Sequence, residues 1–100
     1  MFKVQEIINS GEIIVSPNWV WERKTGNKVR VLGFHPPIDE KDEGFEFAKK
    51  KMTFLLNEKQ IELFKPTFID KYGEEVLFCH IYLSGVDIKN YFSEFENGFK

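Results

Sequence analysis

A single cysteine, Cys79, leaves the chain without a possible internal disulfide, and no cysteine cluster is present to hold a metal. Histidine is scarce too: His35 and His80 stand alone, with no second histidine or cysteine at metal-ligand spacing, so no zinc-type ligand set is offered. No apolar run approaches the length needed to cross a bilayer, and Met1-Phe2-Lys3-Val4-Gln5-Glu6 lacks the apolar segment of a signal peptide. The expectation is a cytoplasmic protein with no membrane segment. Neither sign of charge dominates, because the formal net charge is −2, so composition alone names no electrostatic partner. Repeats, low-complexity tracts and linkers are absent.

What is present is enough for one core. The 100 residues, 42% of them hydrophobic, suit a single domain spanning 1–100, and eleven phenylalanines make that core aromatic-rich. Cys79 lies within an apolar run and reads as a small buried hydrophobe.

The chain is organised around Lys28-Val29-Arg30-Val31-Leu32-Gly33-Phe34-His35-Pro36-Pro37. Val29 and Val31 share one face of an extended strand and Arg30 and Leu32 the other, so one charge is carried on a strand that two prolines end. Upstream, Phe2–Ile8 and Ile13–Val15 form a hairpin around Asn9-Ser10-Gly11-Glu12, and Pro17 bends or bulges the second strand before Trp19–Lys24 continues it. Thr25-Gly26-Asn27 is the expected turn into the third strand. Phe45, Ala48, Met52, Leu55 and Leu56 recur at helical spacing, which predicts a helix from Asp42 to Leu56 with Asn57 as terminator. A fourth strand is expected from Gln60 to Lys65, stopped by Pro66, and a fifth from Glu75 to Leu83 with Leu77, Cys79, Ile81 and Leu83 inward and Val76, Phe78, His80 and Tyr82 on the other face. After Ser84-Gly85, the residues Ile88, Tyr91, Phe92 and Phe95 suggest a second helix that Asp87 caps and Asn97-Gly98 closes.

Periodicity alone supports a small α+β domain or a barrel. The order of strand, Arg30, Gly–aromatic–X–Pro-Pro break and acidic helix start, followed by Ile69-Asp70-Lys71-Tyr72-Gly73, resembles a staphylococcal nuclease-like domain over about Lys3 to Phe95. That resemblance implies a five-stranded OB-fold barrel, with one helix between strands three and four and one C-terminal helix, binding on the face around strands two and three.

It also implies a calcium-dependent phosphodiesterase site with two arginines, a metal-binding carboxylate set and a general-base glutamate. Arg30 alone matches a catalytic position. Where the family has aspartate, threonine, proline and glutamate, the chain has His35-Pro36-Pro37-Ile38; the aspartate of the first hairpin falls at Gly11; and no arginine stands between Gly73 and the chain end. The expectation is therefore no catalytic residues, no metal and no cofactor, with calcium entering only on the alternative reading of a divergent metal-dependent nuclease. Glu12, Asp39, Glu40, Asp42 and Glu43 are the acidic residues available to rebuild a metal site, and they read more simply as helix-dipole partners and solubilising charge.

The hairpin of strands two and three carries Arg23, Lys24, Lys28 and Arg30 against Glu22 alone, beside Trp19 and Trp21 on one face. Aromatics interleaved with cations suit stacked bases and phosphates, and they equally suit a protein partner. In a plainer reading one tryptophan caps the core and the cations are surface charge. The functional expectation is a catalytically inactive binding module for single-stranded nucleic acid or a protein partner.

Overall fold

The computed structural model describes residues 1–70 and 75–95. Its strands are β1 (Phe2–Asn9), β2 (Glu12–Trp21), β3 (Lys24–Val31), β4 (Gln60–Asp70), β5 (Val76–Leu83) and a two-residue β6 (Val86–Asp87), with helix α1 (Phe45–Leu56) between β3 and β4. The strands β1, β2 and β3 form an antiparallel meander; β3 then pairs in parallel with β5, β5 antiparallel with β4, and β4 antiparallel with β1. That circuit closes a five-stranded barrel, consistent with an OB-like one, and closure leaves few strand edges unpaired.

Alternation explains what fills it. Val29 and Val31 from β3 meet Leu77 and Cys79 from β5 in register, all buried, together with Val4, Ile13, Val15 and Ile81. Ala48, Met52 and Leu56, each fully buried, turn the apolar stripe of α1 onto the barrel, while Leu55 is only partly buried. Each fully buried Val, Leu, Ile or Met among them contributes on the order of 1.5–3 kcal/mol by leaving water. No helix among the described residues is long and apolar enough to cross a membrane.

Four local expectations are corrected. The β2–β3 turn lies at Glu22-Arg23, whose φ angles of 52° and 65° make a two-residue turn closed by the pair Trp21 and Lys24. Thr25, Gly26 and Asn27 belong to β3 instead; Gly26 is there for space, since a Cβ on it would stand 2.8 Å from Trp19 Cζ2. Helix α1 starts at Phe45 rather than Asp42, because Gly44 adopts a left-handed φ of 84° that cannot continue a helix backwards. Strand β4 runs through Pro66 to Asp70, accommodating the proline in a bulge where Lys65 takes φ 53° and the register with β5 shifts.

The C-terminal segment is not an α-helix but two 3-10 turns, Ile88–Tyr91 and Ser93–Phe95. The chain breaks at Phe92 (φ −126°, ψ 37°), whose buried ring stacks on Phe34 with centroids 4.8 Å apart, while His35 N–H donates to the Phe95 carbonyl at 2.9 Å. Asp87 does cap this segment, accepting from Lys89 N–H at 2.9 Å. Lys71-Tyr72-Gly73 and Asn97-Gly98 lie outside the described residues.

Candidate ligand-binding cleft

At the end of β3 the backbone leaves the barrel wall and turns over the first hairpin. Ser10, fully buried, donates its hydroxyl to the Pro37 carbonyl at 3.1 Å, and Val31 N–H donates to the Gly11 carbonyl at 2.8 Å. The 35–38 loop is thereby held against the β1–β2 turn. Its side chains leave no room at Gly11: a Cβ built there would lie 2.9 Å from both Pro36 Cγ and Ile38 Cγ2, and 3.5 Å from Arg30 Nε. Gly11, Arg30, Pro36 and Ile38 thus meet at one point, three of them apolar.

Arg30 stands beside this plug on the outer barrel surface. Its guanidinium lies over the Phe78 ring, 5.7 Å from the centroid, as the parallel register of β3 and β5 dictates. Among the described residues it has no ion-pair partner. Glu12, opposite it on β2, instead accepts from Asn9 Nδ2 at 2.9 Å. Arg30, Val31, Leu32, Gly33, His35 and Phe78 are among the residues lining an open cleft of about 440 Å³. A half-buried, unpaired guanidinium beside an aromatic ring in an open cleft is a place for an anion attached to something flat.

The residues singled out on the hairpin do not all reach this cleft. Trp19 is 1% exposed, its Nε1–H donating to the Lys28 carbonyl at 2.9 Å, so it is a core residue rather than a surface platform. Trp19 lies four residues after Val15, so alternation puts the two on one inward face, and Gly26 on β3 leaves room for the indole ring. Trp21 is partly buried and packs against that core. Arg23 is exposed at the turn, and Lys24 pairs with Glu75 at 3.6 Å in a solvated ion pair of small energy. Lys28 and Arg30 share the outward face of β3 at a spacing of two, so they project on the same side of the sheet.

Two acidic residues of the 39–43 segment, Asp39 and Asp42, are engaged by local backbone N–H groups. Asp39 accepts from Lys41 N–H at 2.9 Å, and Asp42 accepts from Asp39 N–H at 3.3 Å. Among the described residues no three His, Cys, Asp or Glu side chains gather so as to hold a metal ion.

Sequence reasoning did not single out a further set of residues near the cleft. Phe78, His80 and Tyr82 are legible as one face of β5, but not the return of the chain beyond Gly85 that brings Asp87 within 3.2 Å of His80 Nδ1. Only the hairpin of β5 with β6, pairing Tyr82 with Asp87, creates that contact. Neither a scan against protein-family models nor a search of curated proteins finds a match to this chain.

Proposed function

We propose that the chain is a catalytically inactive barrel of the staphylococcal nuclease-like type that binds single-stranded nucleic acid at the Arg30 cleft and along the cations of the β2–β3 hairpin. The observation that carries this reading is the apolar plug. On the resemblance, Gly11 and His35 stand where metal-binding carboxylates belong and Ile38 where the general base belongs. The residues there do not fit calcium, which takes about six to eight oxygen ligands. Pro36 and Ile38 offer no side-chain oxygen and occupy the space that any side chain at Gly11 would need. Arg30 is kept while the groups it would serve in catalysis are replaced, which suits a role in holding phosphate rather than in cleaving it.

Arg23, Lys28 and Arg30 supply positive charge along one hairpin, and Phe78 supplies a ring under one of them. Phosphates set affinity and its salt dependence; rings accept bases of any sequence. Incubating the protein with labelled single-stranded DNA and RNA, with calcium, magnesium or manganese, tests both halves. Bound, intact oligonucleotide is the expected result. Metal-dependent cutting that disappears in Arg30→Ala and in chelator would establish the nuclease reading instead, and an absence of binding at high micromolar concentration would point to a protein partner.

A further inference from the structure

Resting on the nucleic-acid reading above, we infer that a bound strand leaves the Arg30 cleft across the outward face of β5, stacking bases on Phe78, His80 and Tyr82, and ends in a second cleft where Lys65 and Lys89 meet its phosphates. The three rings recur at every second residue of one strand, so they stand in a row on one face. Each is partly exposed.

The row joins two clefts. Arg30 lies over Phe78 at one end. At the other, His80, Tyr82, Lys65 and Lys89 are among the residues lining a cleft of about 390 Å³. Gly33 belongs to the first cleft, yet a Cβ on it would lie 3.3 Å from His80 Nδ1 and 3.2 Å from Lys89 Cδ, so the two clefts share a wall one residue thick. A side chain at Gly33 would press on His80 and Lys89 across that wall, and its φ of 107° suits glycine.

The rings are held for the task. Phe64, 43% exposed on the neighbouring strand, meets Tyr82 edge-on with centroids 4.8 Å apart and an interplanar angle of 71°, which fixes the tyrosine ring while leaving a face uncovered by that contact. His80 is oriented by Asp87 at 3.2 Å, and Asp87 is itself only 7% exposed and accepts from Lys89 N–H. Asp87 also lines this second cleft, but His80 and Lys89 N–H engage its two oxygens, which limits its repulsion of a phosphate.

Spacing selects the form of the ligand. Rings two residues apart along a strand are separated by about 6.6–6.8 Å, twice the roughly 3.4 Å rise per nucleotide of a stacked strand. A strand following the row must therefore be stretched, each base leaving its neighbour to lie on a ring. Duplex cannot do this.

The test is fluorescence anisotropy of labelled oligothymidylates with the full chain, comparing Tyr82→Ala, Tyr82→Phe, the pair Lys65→Ala with Lys89→Ala, Arg30→Ala, and Phe54→Ala on the far exposed face of α1. Tyr82→Ala is expected to weaken binding about tenfold and Tyr82→Phe to restore it. The lysine pair should lower both affinity and salt dependence, Phe54→Ala should change nothing, and duplex of the same length should bind poorly. Should Arg30→Ala lose binding while Tyr82→Ala and the lysine pair bind as the parent does, the path across β5 is wrong and the Arg30 site stands. If the parent chain binds no oligothymidylate, the nucleic-acid reading and this path are overturned together.

Discussion

Replacing Trp19 by alanine should come close to unfolding the domain. The indole is 1% exposed, surrounded by barrel residues, and its Nε1–H satisfies the Lys28 carbonyl at 2.9 Å. Truncating a buried Trp or Phe to alanine costs about 3–5 kcal/mol, a figure that includes the cavity left behind. Against a total stability of about 5–15 kcal/mol for a domain of this size, that is about a fifth or more of the whole. Trp19→Phe keeps most of the volume and loses the hydrogen bond, so it should cost about 1–2 kcal/mol. Gly26 supplies an internal control: its Cβ would press on the Trp19 ring at 2.8 Å and approach the Glu75 carbonyl at 3.3 Å. Gly26→Ala should therefore destabilise by about 1–3 kcal/mol alone and by clearly less in the Trp19→Ala background, where the ring is gone. Urea unfolding of the four chains gives the cycle directly. A loss below about 0.5 kcal/mol for Trp19→Ala, or additive effects of the two substitutions, would refute the placement of Trp19 over Gly26.

Other outcomes follow from the same packing. Gly11→Asp should cost about 1–3 kcal/mol, because the added Cβ has only 2.9 Å to Pro36 and Ile38, and it should create no calcium-dependent cleavage; a stable variant that cuts DNA would show that the plug yields. Cys79 is fully buried, and burial pushes its thiol up from 9.0 to about 12. The folded state then keeps a proton that the unfolded thiol loses, so this contribution to stability is whole below pH 9.0 and is withdrawn as pH rises toward about 12. Comparing urea midpoints of the parent and Cys79→Ala across that window isolates it, and a parent that gains stability with pH relative to Cys79→Ala would contradict it. Alkylation of the thiol should likewise be slow in native protein and rapid in denaturant.

The barrel was legible because alternation over 28–31 and 77–82 is regular: Val29 and Val31, Leu77, Cys79 and Ile81 all face inward as their parity demands. What escaped were choices made by space and backbone rather than by pattern. The dipeptide Gly26-Asn27 carries the signal of a turn, but its glycine makes room for an indole and the turn is made by Glu22-Arg23, residues with no special preference for positive φ. Pro66 reads as a stop, yet a bulge at Lys65 carries β4 past it. The site divides in the same way. Arg30 was identifiable from its strand, whereas the choice of Trp19 over Trp21 as the fully buried ring depends on the space that Gly26 leaves for it, and the pairing of His80 with Asp87 depends on a hairpin that brings together residues seven apart.

The central claim, a barrel that holds single-stranded nucleic acid through Arg30 without cleaving it, is tested most directly by the salt dependence of oligonucleotide affinity with and without that arginine. Each phosphate contact on a single strand contributes about −0.7 to the slope of log K against log salt concentration. The parent chain should bind intact oligonucleotide with a steep negative slope, and Arg30→Ala should bind more weakly with a slope shallower by about 0.7. Equal slopes and affinities for the two chains, or cleavage of the strand by the parent in calcium, would contradict it.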